Sequence, residues 1–121
     1  MYGLGNLGDK VTAFTKRVVN ATTFLRNKHE NILANQFYRS GTSIGANCSE
    51  AVFAQSKADY VTKLSIALKE ANETIHWIEV MYDSNLINEE TYKSIKEDCS
   101  EISKILTTII KNVKTNIESK K

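Results

Sequence analysis

The sequence predicts an all-α protein, an antiparallel up-down four-helix bundle, and three observations carry that prediction. The chain of 121 residues contains no proline. Its five glycines all lie at or before Gly45, so the remainder is free of both strong helix breakers. Apolar residues recur at alternating steps of three and four along four separate stretches, the one-face signature of amphipathic helices. Long stripes joined by short connections fit a bundle in which each helix runs back along its predecessor.

The opening "MYGLGNL" has glycines too closely spaced for a helix. Residues 1–8 are therefore expected to form a flexible leader, and residues 9–121 a single bundle domain. Asp9 stands where it can cap the first helix, whose face is Val11, Phe14, Val18, Ala21 and Leu25 and which should end near "RNKHEN". Ile32 and Leu33 fit either that turn or the start of the second helix. The second helix has the most regular seam: Ala34, Phe37, Gly41, Ile44, Cys48, Ala51 and Gln55. At "QSKAD" the Ser56 hydroxyl can accept from the Asp59 amide, with Asp59 in the first turn near the positive helix end. A third helix follows through Tyr60, Leu64, Leu68, Ala71, Ile75, Ile78 and Tyr82, with Ala67 on its flank. "DSNLIN" turns the chain, Asn88 caps, and Glu89 and Glu90 favour the new N-terminus. The last helix presents Ile95, Cys99, Ile102, Leu106, Ile109, Val113 and Ile117, with lysines toward its carbonyl end, where the macrodipole favours them.

"RSGTSIGANCSEA", Arg39 to Ala51, has the composition of a ligand loop but the flanks of a helix. A phosphate-binding loop needs GxxxxGK[ST] between a strand and a helix. Here the glycine spacing differs, no lysine follows Gly45 and no strand precedes it. The glycines read instead as a helix thinned for packing. If the second and third helices reverse at Gln55 and Ser56, Gly41 falls opposite Glu70 or Ala71, and Gly45 opposite Ile66 or Ala67. Gly41, Gly45, Ala67 and Ala71 are then expected to bring those two helices closer than the usual interaxial distance of roughly 8–10 Å. Each glycine costs about 1 kcal/mol of helix propensity, which close packing would offset. The same register places Arg39 opposite Glu73, with Glu70, Glu73 and Glu79 as possible carboxylate partners, and Glu50 within reach of Lys57 and Lys63.

The formal net charge is only +2, but it is segregated. Residues 1–57 carry seven Lys or Arg against three acids (+4), residues 58–103 four against ten (−6), and residues 104–121 five against one (+4). Cys48 and Cys99 form no CxxC and have no paired histidines, so zinc and redox motifs are excluded. Both fall on apolar stripes, where a thiol behaves as a small hydrophobe. No apolar run approaches the ~20 residues of a membrane span, and the first residues lack signal-peptide order. A soluble, cytoplasmic protein is expected.

"RSGTSIGANCSEA" followed by "AQSKADYVTKLSIALKEANETIHWIE" closely resembles the family of four-helix bundles encoded in intervening sequences of bacterial 23S ribosomal RNA genes, to which accessory proteins of diversity-generating retroelements look related. The match is specific from Arg39 to Glu79 and looser over the outer helices. Cys48 and Ser49 depart from the expected larger aliphatic and small residue, and the leader is foreign to the pattern. The resemblance implies a cytoplasmic bacterial bundle that assembles as a homo-oligomeric ring, commonly a pentamer, with a nucleic-acid role and no catalytic residues. The signature positions Arg39, Ser40, Thr42, Ser43, Asn47, Glu50, Lys63, Glu70 and Glu73 could hold either the second and third helices together or a subunit contact.

Three function classes compete. The first is a non-enzymatic binder of structured RNA, ribosomal or retroelement, without cofactor or metal. Its candidate contacts are Lys16, Arg17, Arg26, Lys28, Arg39, Lys57, Lys63, Lys111 and Lys114, with Lys120 and Lys121 beyond them. Lys57 and the C-terminal lysines should share one end of the bundle, and a ring would repeat that patch, adding phosphate contacts by counterion release and avidity. No base-stacking set of aromatics is visible, so shape and charge are the expected determinants. The second class is a ferritin-like metal oxidase. It would need two Glu-x-x-His motifs, and only Glu73 with His76 supplies one. The third is an adaptor ring that docks a protein through exposed aromatics, for which Tyr38, Phe53, Trp77 and Tyr92 are candidates.

Overall fold

The structure, a computed structural model, describes residues 3–119. Four helices follow one another: α1 (Leu7–Asn27), α2 (Asn31–Val52), α3 (Lys57–Asp83) and α4 (Glu89–Ser119). Each packs on its neighbour in sequence, α1 closes on α4, and the two diagonal pairs stay apart. Cross-helix contacts fix the directions. Gly41 faces Val18 while Gly45 faces Val11 and Thr15, so α2 descends as α1 ascends. Arg39 meets Glu70 and Glu73 while Glu50 meets Lys63. Asn72 accepts from Ser103 while Tyr82 stacks on Tyr92, and Lys10 pairs with Glu101 while Arg17 bonds Ser94 and Asp98. All four seams are antiparallel.

The element ends differ from expectation at the start of α1 and at the end of α2, which stops at Val52 short of the expected Gln55, and match it elsewhere. α1 begins at Leu7, inside the segment expected as leader, and Asp9 lies in its first turn rather than at its cap. The cause is burial: Leu7 is fully buried, Leu4 packs on the core, and the Tyr60 hydroxyl donates to the Gly3 carbonyl at 2.8 Å. Burying a leucine side chain contributes about 1.5–3 kcal/mol, enough to offset the poor helix propensity of Gly8. Met1 and Tyr2 of that leader lie outside the described residues, as do Lys120 and Lys121. Ile32 and Leu33 belong to α2. The Ser56 side chain accepts from the Asp59 amide at 3.0 Å, and Asp59 returns a carboxylate oxygen to the Gln55 amide at 3.1 Å. Asn88 caps α4 by accepting from the Thr91 amide at 2.8 Å.

The two top turns work without glycine. His29 and Asn85 take positive φ, 65° and 62°, one residue beyond the caps of α1 and α3. Each end then closes with the paired bonds of a Schellman motif: Glu30 to Leu25 and His29 to Arg26, then Leu86 to Met81 and Asn85 to Tyr82. These bonds satisfy carbonyls that the helix ends would otherwise leave open.

The core contains Phe14, Phe37, Ile44, Leu64, Ile78, Met81, Ile102 and Leu106, all at most 2 % exposed. Here the expected partner of the glycines is wrong. A Cβ on Gly41 would stand 2.7 Å from Val18 Cγ1, and one on Gly45 3.2 Å from Thr15 Oγ1 and Val11 Cγ1. The glycines thin α2 against α1, not against α3. Ala67 and Ala71 are fully buried, but the Ala71 carbonyl accepts from Cys99 Sγ on α4 at 3.4 Å. In a four-cornered bundle each helix turns two flanks inward. Gly41 and Gly45 occupy the α1 flank, while Ser40 occupies the α3 flank, where its hydroxyl accepts from Thr74 at 2.9 Å.

Candidate nucleic-acid interface

The up-down topology collects the start of α1, the end of α2, the start of α3 and the end of α4 at one end of the bundle. The nine basic residues expected to contact RNA divide accordingly. Lys57, at the first position of α3, and Lys111 and Lys114, exposed on the last turns of α4, share this end. Lys63, one to two turns into α3, approaches Glu50 loosely at 3.7 Å. Lys16 joins from α1, lining a groove of about 300 Å³ with Leu4, Gly8, Thr15, Gly45 and Ser49. The last described turn of α4 itself carries no basic residue.

The other four basic residues lie elsewhere. Arg17 is held to Asp98 at 2.7 Å and to Ser94 at 3.1 Å on the α1–α4 seam. Arg39 clamps α2 to α3 through Glu70 at 2.9 Å and through Glu73, as the register expected. Hydrogen bonding to Glu73, opposed by desolvation and helped by the charges of Glu70 and Glu73, holds its guanidinium above the ordinary range. Arg26 and Lys28 sit at the opposite end, Arg26 donating to Asn35 at 2.9 Å and Lys28 lying 5.1 Å over the Phe24 ring. That far end also carries exposed Glu30, Asp83, Glu89 and Glu90. Charge is therefore unevenly spread but mixed at both ends: Asp9, Glu50 and Asp59 accompany the lysines at one end, and Arg26, Lys28 and Lys93 accompany the carboxylates at the other.

A second groove of about 610 Å³ opens at the lysine end between α2 and α3, lined by Ser49, Glu50, Phe53, Gln55, Asp59 and Lys63. Ser49 also lines the α1–α2 groove, so the two grooves adjoin at that residue. Phe53, the C-cap of α2, is 74 % exposed. The sequence marks it out, since it falls after Ala51, off the seam, and just before the Ser56 cap. Gln55, expected on the buried seam, is exposed in this groove.

The remaining aromatics separate into exposed and packed. Tyr38 is exposed, whereas Tyr92 is half-buried and stacks on Tyr82 with centroids 4.2 Å apart. Trp77 is half-buried, and its Nε1 is shut from solvent with no acceptor. It walls a groove of about 410 Å³ at the carboxylate end, where Ile32 is 82 % exposed.

Glu73, half of the single Glu-x-x-His, is committed to Arg39. Among the described residues no three His, Cys, Asp or Glu are grouped to hold a metal, and no helix is long and apolar enough to cross a membrane. Both cysteines are buried free thiols. Desolvation pushes Cys48 up to about 11, and desolvation with the charge of Asp98 pushes Cys99 up to about 12. Neither is a nucleophile at neutral pH.

The profile of the family described as 23S rRNA-intervening sequence protein matches residues 7–108. A crystal structure from Bacteroides thetaiotaomicron VPI-5482, of a protein of unknown function from the S23 ribosomal protein family, is 49 % identical. The match covers 87 % of this chain and 98 % of that one, with a TM-score of 0.84. No curated protein matches the chain.

Proposed function

The chain belongs to the 23S rRNA-intervening sequence protein family, and from that premise we propose that it is a non-enzymatic, cytoplasmic, self-assembling bundle that binds structured RNA through its lysine end. The observation that carries this reading is the polarity of the bundle. Lys16, Lys57, Lys63, Lys111 and Lys114 lie at one end and its grooves and outnumber Asp9, Glu50 and Asp59 there, while Glu30, Asp83, Glu89 and Glu90 outnumber Arg26, Lys28 and Lys93 at the other. A phosphate backbone favours the end with the excess of lysines. Five lysines on one chain give modest affinity. A homo-oligomeric ring, a pentamer by the family resemblance, multiplies it by presenting the same end several times to one RNA.

Fluorescence anisotropy with a labelled RNA stem-loop across a salt series tests the reading. The log of the affinity is expected to fall linearly with the log of salt, with a slope steeper than about −2, corresponding to several released counterions. Lys111→Glu with Lys114→Glu should flatten the slope, while Arg26→Glu, at the far end, should not. Absence of binding at low salt would sink the proposal. Light scattering on the same samples checks the assembly, and a single-chain mass would remove the avidity component.

A second reading, an adaptor that docks a protein, has one observation in its favour: the Trp77 groove with exposed Ile32 at the carboxylate end. Under that reading Trp77→Ala abolishes assembly or docking while helicity is retained. An unchanged molar mass and partner profile would count against it.

A further inference from the structure

We propose that the groove between α2 and α3 at the lysine end is a seat for an unpaired RNA base, with Phe53 as its stacking platform. This rests on the RNA-binding reading and narrows its ligand from RNA in general to RNA with single-stranded nucleotides.

Four observations place the base there. Phe53 is the C-cap of α2, and its amide donates to the Glu50 carbonyl at 3.1 Å. The ring is therefore presented by a fixed backbone, yet it is 74 % exposed. Its neighbours in the groove are polar: Ser49, Glu50, Gln55, Asp59 and Lys63. A docking site for an apolar protein surface surrounds its anchor with further apolar contacts that exclude water, and none of these residues provides them. A nucleobase, by contrast, needs one π-face to stack on and hydrogen-bonding groups at its edge. The groove, about 610 Å³, is open to solvent, so a base can reach the ring from outside.

Two lysines border the ring. Lys63 is held only loosely by Glu50, at 3.7 Å, and Lys57 begins the helix that forms the groove's other wall. Both stand where the phosphates flanking a stacked base would run. The groove also holds two carboxylates: Asp59, which accepts from the Gln55 amide, and Glu50, which loosely faces Lys63. As acceptors they also suit bases with an exocyclic amino group, of which cytosine is the clearest case. At Ser49 the groove adjoins the one lined by Lys16.

The test compares three RNAs of equal length, oligo(rC), oligo(rU) and a fully paired duplex, by anisotropy at fixed salt, for the wild-type protein, Phe53→Ala and Phe53→Trp. Because Phe53 is so exposed, neither substitution threatens the fold. Loss of one stacked base is expected to weaken binding of oligo(rC) about 5- to 150-fold in Phe53→Ala, with the salt slope and duplex affinity unchanged and with Phe53→Trp restoring the affinity. Oligo(rC) should bind more tightly than oligo(rU). If Phe53→Ala binds all three RNAs as the wild type does, stacking is refuted while the basic-end reading stands. If the wild type binds no RNA even at low salt, both fall. A Phe53→Ala protein with unchanged RNA affinity but altered molar mass would assign the ring to a subunit contact and overturn the proposal.

Discussion

Gly41 shows how much one missing methyl group decides. A Cβ there would press on both methyls of Val18, at 2.7 and 2.8 Å. Val18 is fully buried and β-branched, so it has few rotamers in which to retreat. Gly41→Ala gains about 1 kcal/mol of helix propensity and is still expected to destabilise the bundle by about 1–3 kcal/mol through overpacking. Urea unfolding should show this, and the penalty should shrink in a Val18→Ala background, where the two changes are coupled. A Gly41→Ala variant as stable as the wild type would contradict the packing. The sequence makes the glycine seam visible but not its partner. Counting back from a turn sets the level of each residue along a helix, and it says nothing of which inward flank the residue occupies. Arg39 is legible for the opposite reason: its long side chain needs only the level, and it reaches both Glu70 and Glu73.

Among the elements, α2 and α3 form the seam with the most polar content. Ser40 and Thr74 are fully buried and bonded to each other across it at 2.9 Å. Thr74→Val leaves the Ser40 hydroxyl with only a 3.4 Å contact to the Phe37 carbonyl, and is expected to cost about 1–3 kcal/mol. Ser40→Ala combined with Thr74→Val removes both polar groups and should recover most of that loss in the same unfolding assay. A double-variant penalty equal to the sum of the two single penalties would mean that the pair is not coupled. Helix ends are legible where a side chain does the capping, as Ser56 and Asn88 do. They are illegible where burial decides, as at Leu7. There a local rule about glycine meets a long-range contact, Tyr60 with Gly3, that no window of sequence contains.

For the whole molecule, burial of the titrating groups sets a limit at high pH. Desolvation pushes Cys48 up to about 11 and, with the charge of Asp98, Cys99 up to about 12, while burial raises the Tyr60 phenol. The folded state therefore holds protons that the unfolded chain releases at lower pH. The stability these groups contribute is complete below about pH 8.5, the ordinary thiol value, and is lost as pH rises through the folded values. The urea midpoint should fall steadily from pH 9 to 11, and a flat midpoint would argue that the thiols are wet. In the sequence the bundle itself is fully legible, because four periodic stripes and short turns leave few other solutions. The grouping of Lys57 with the C-terminal lysines follows from that topology. Arg17 and Arg39 drop out of the candidate interface because their partners, Asp98 and Glu73, come from other helices. The even number of antiparallel helices also returns the chain to the end from which it set out, so the described residues enter at Gly3 and leave at Ser119 beside the lysines. A fluorophore or affinity handle placed at either end of the described residues would stand in the path of the RNA proposed to bind there. Ser84, exposed in the turn at the carboxylate end, is the better anchorage. With Cys48 and Cys99 sealed in the core, a maleimide would find a Ser84→Cys protein reactive at that one position.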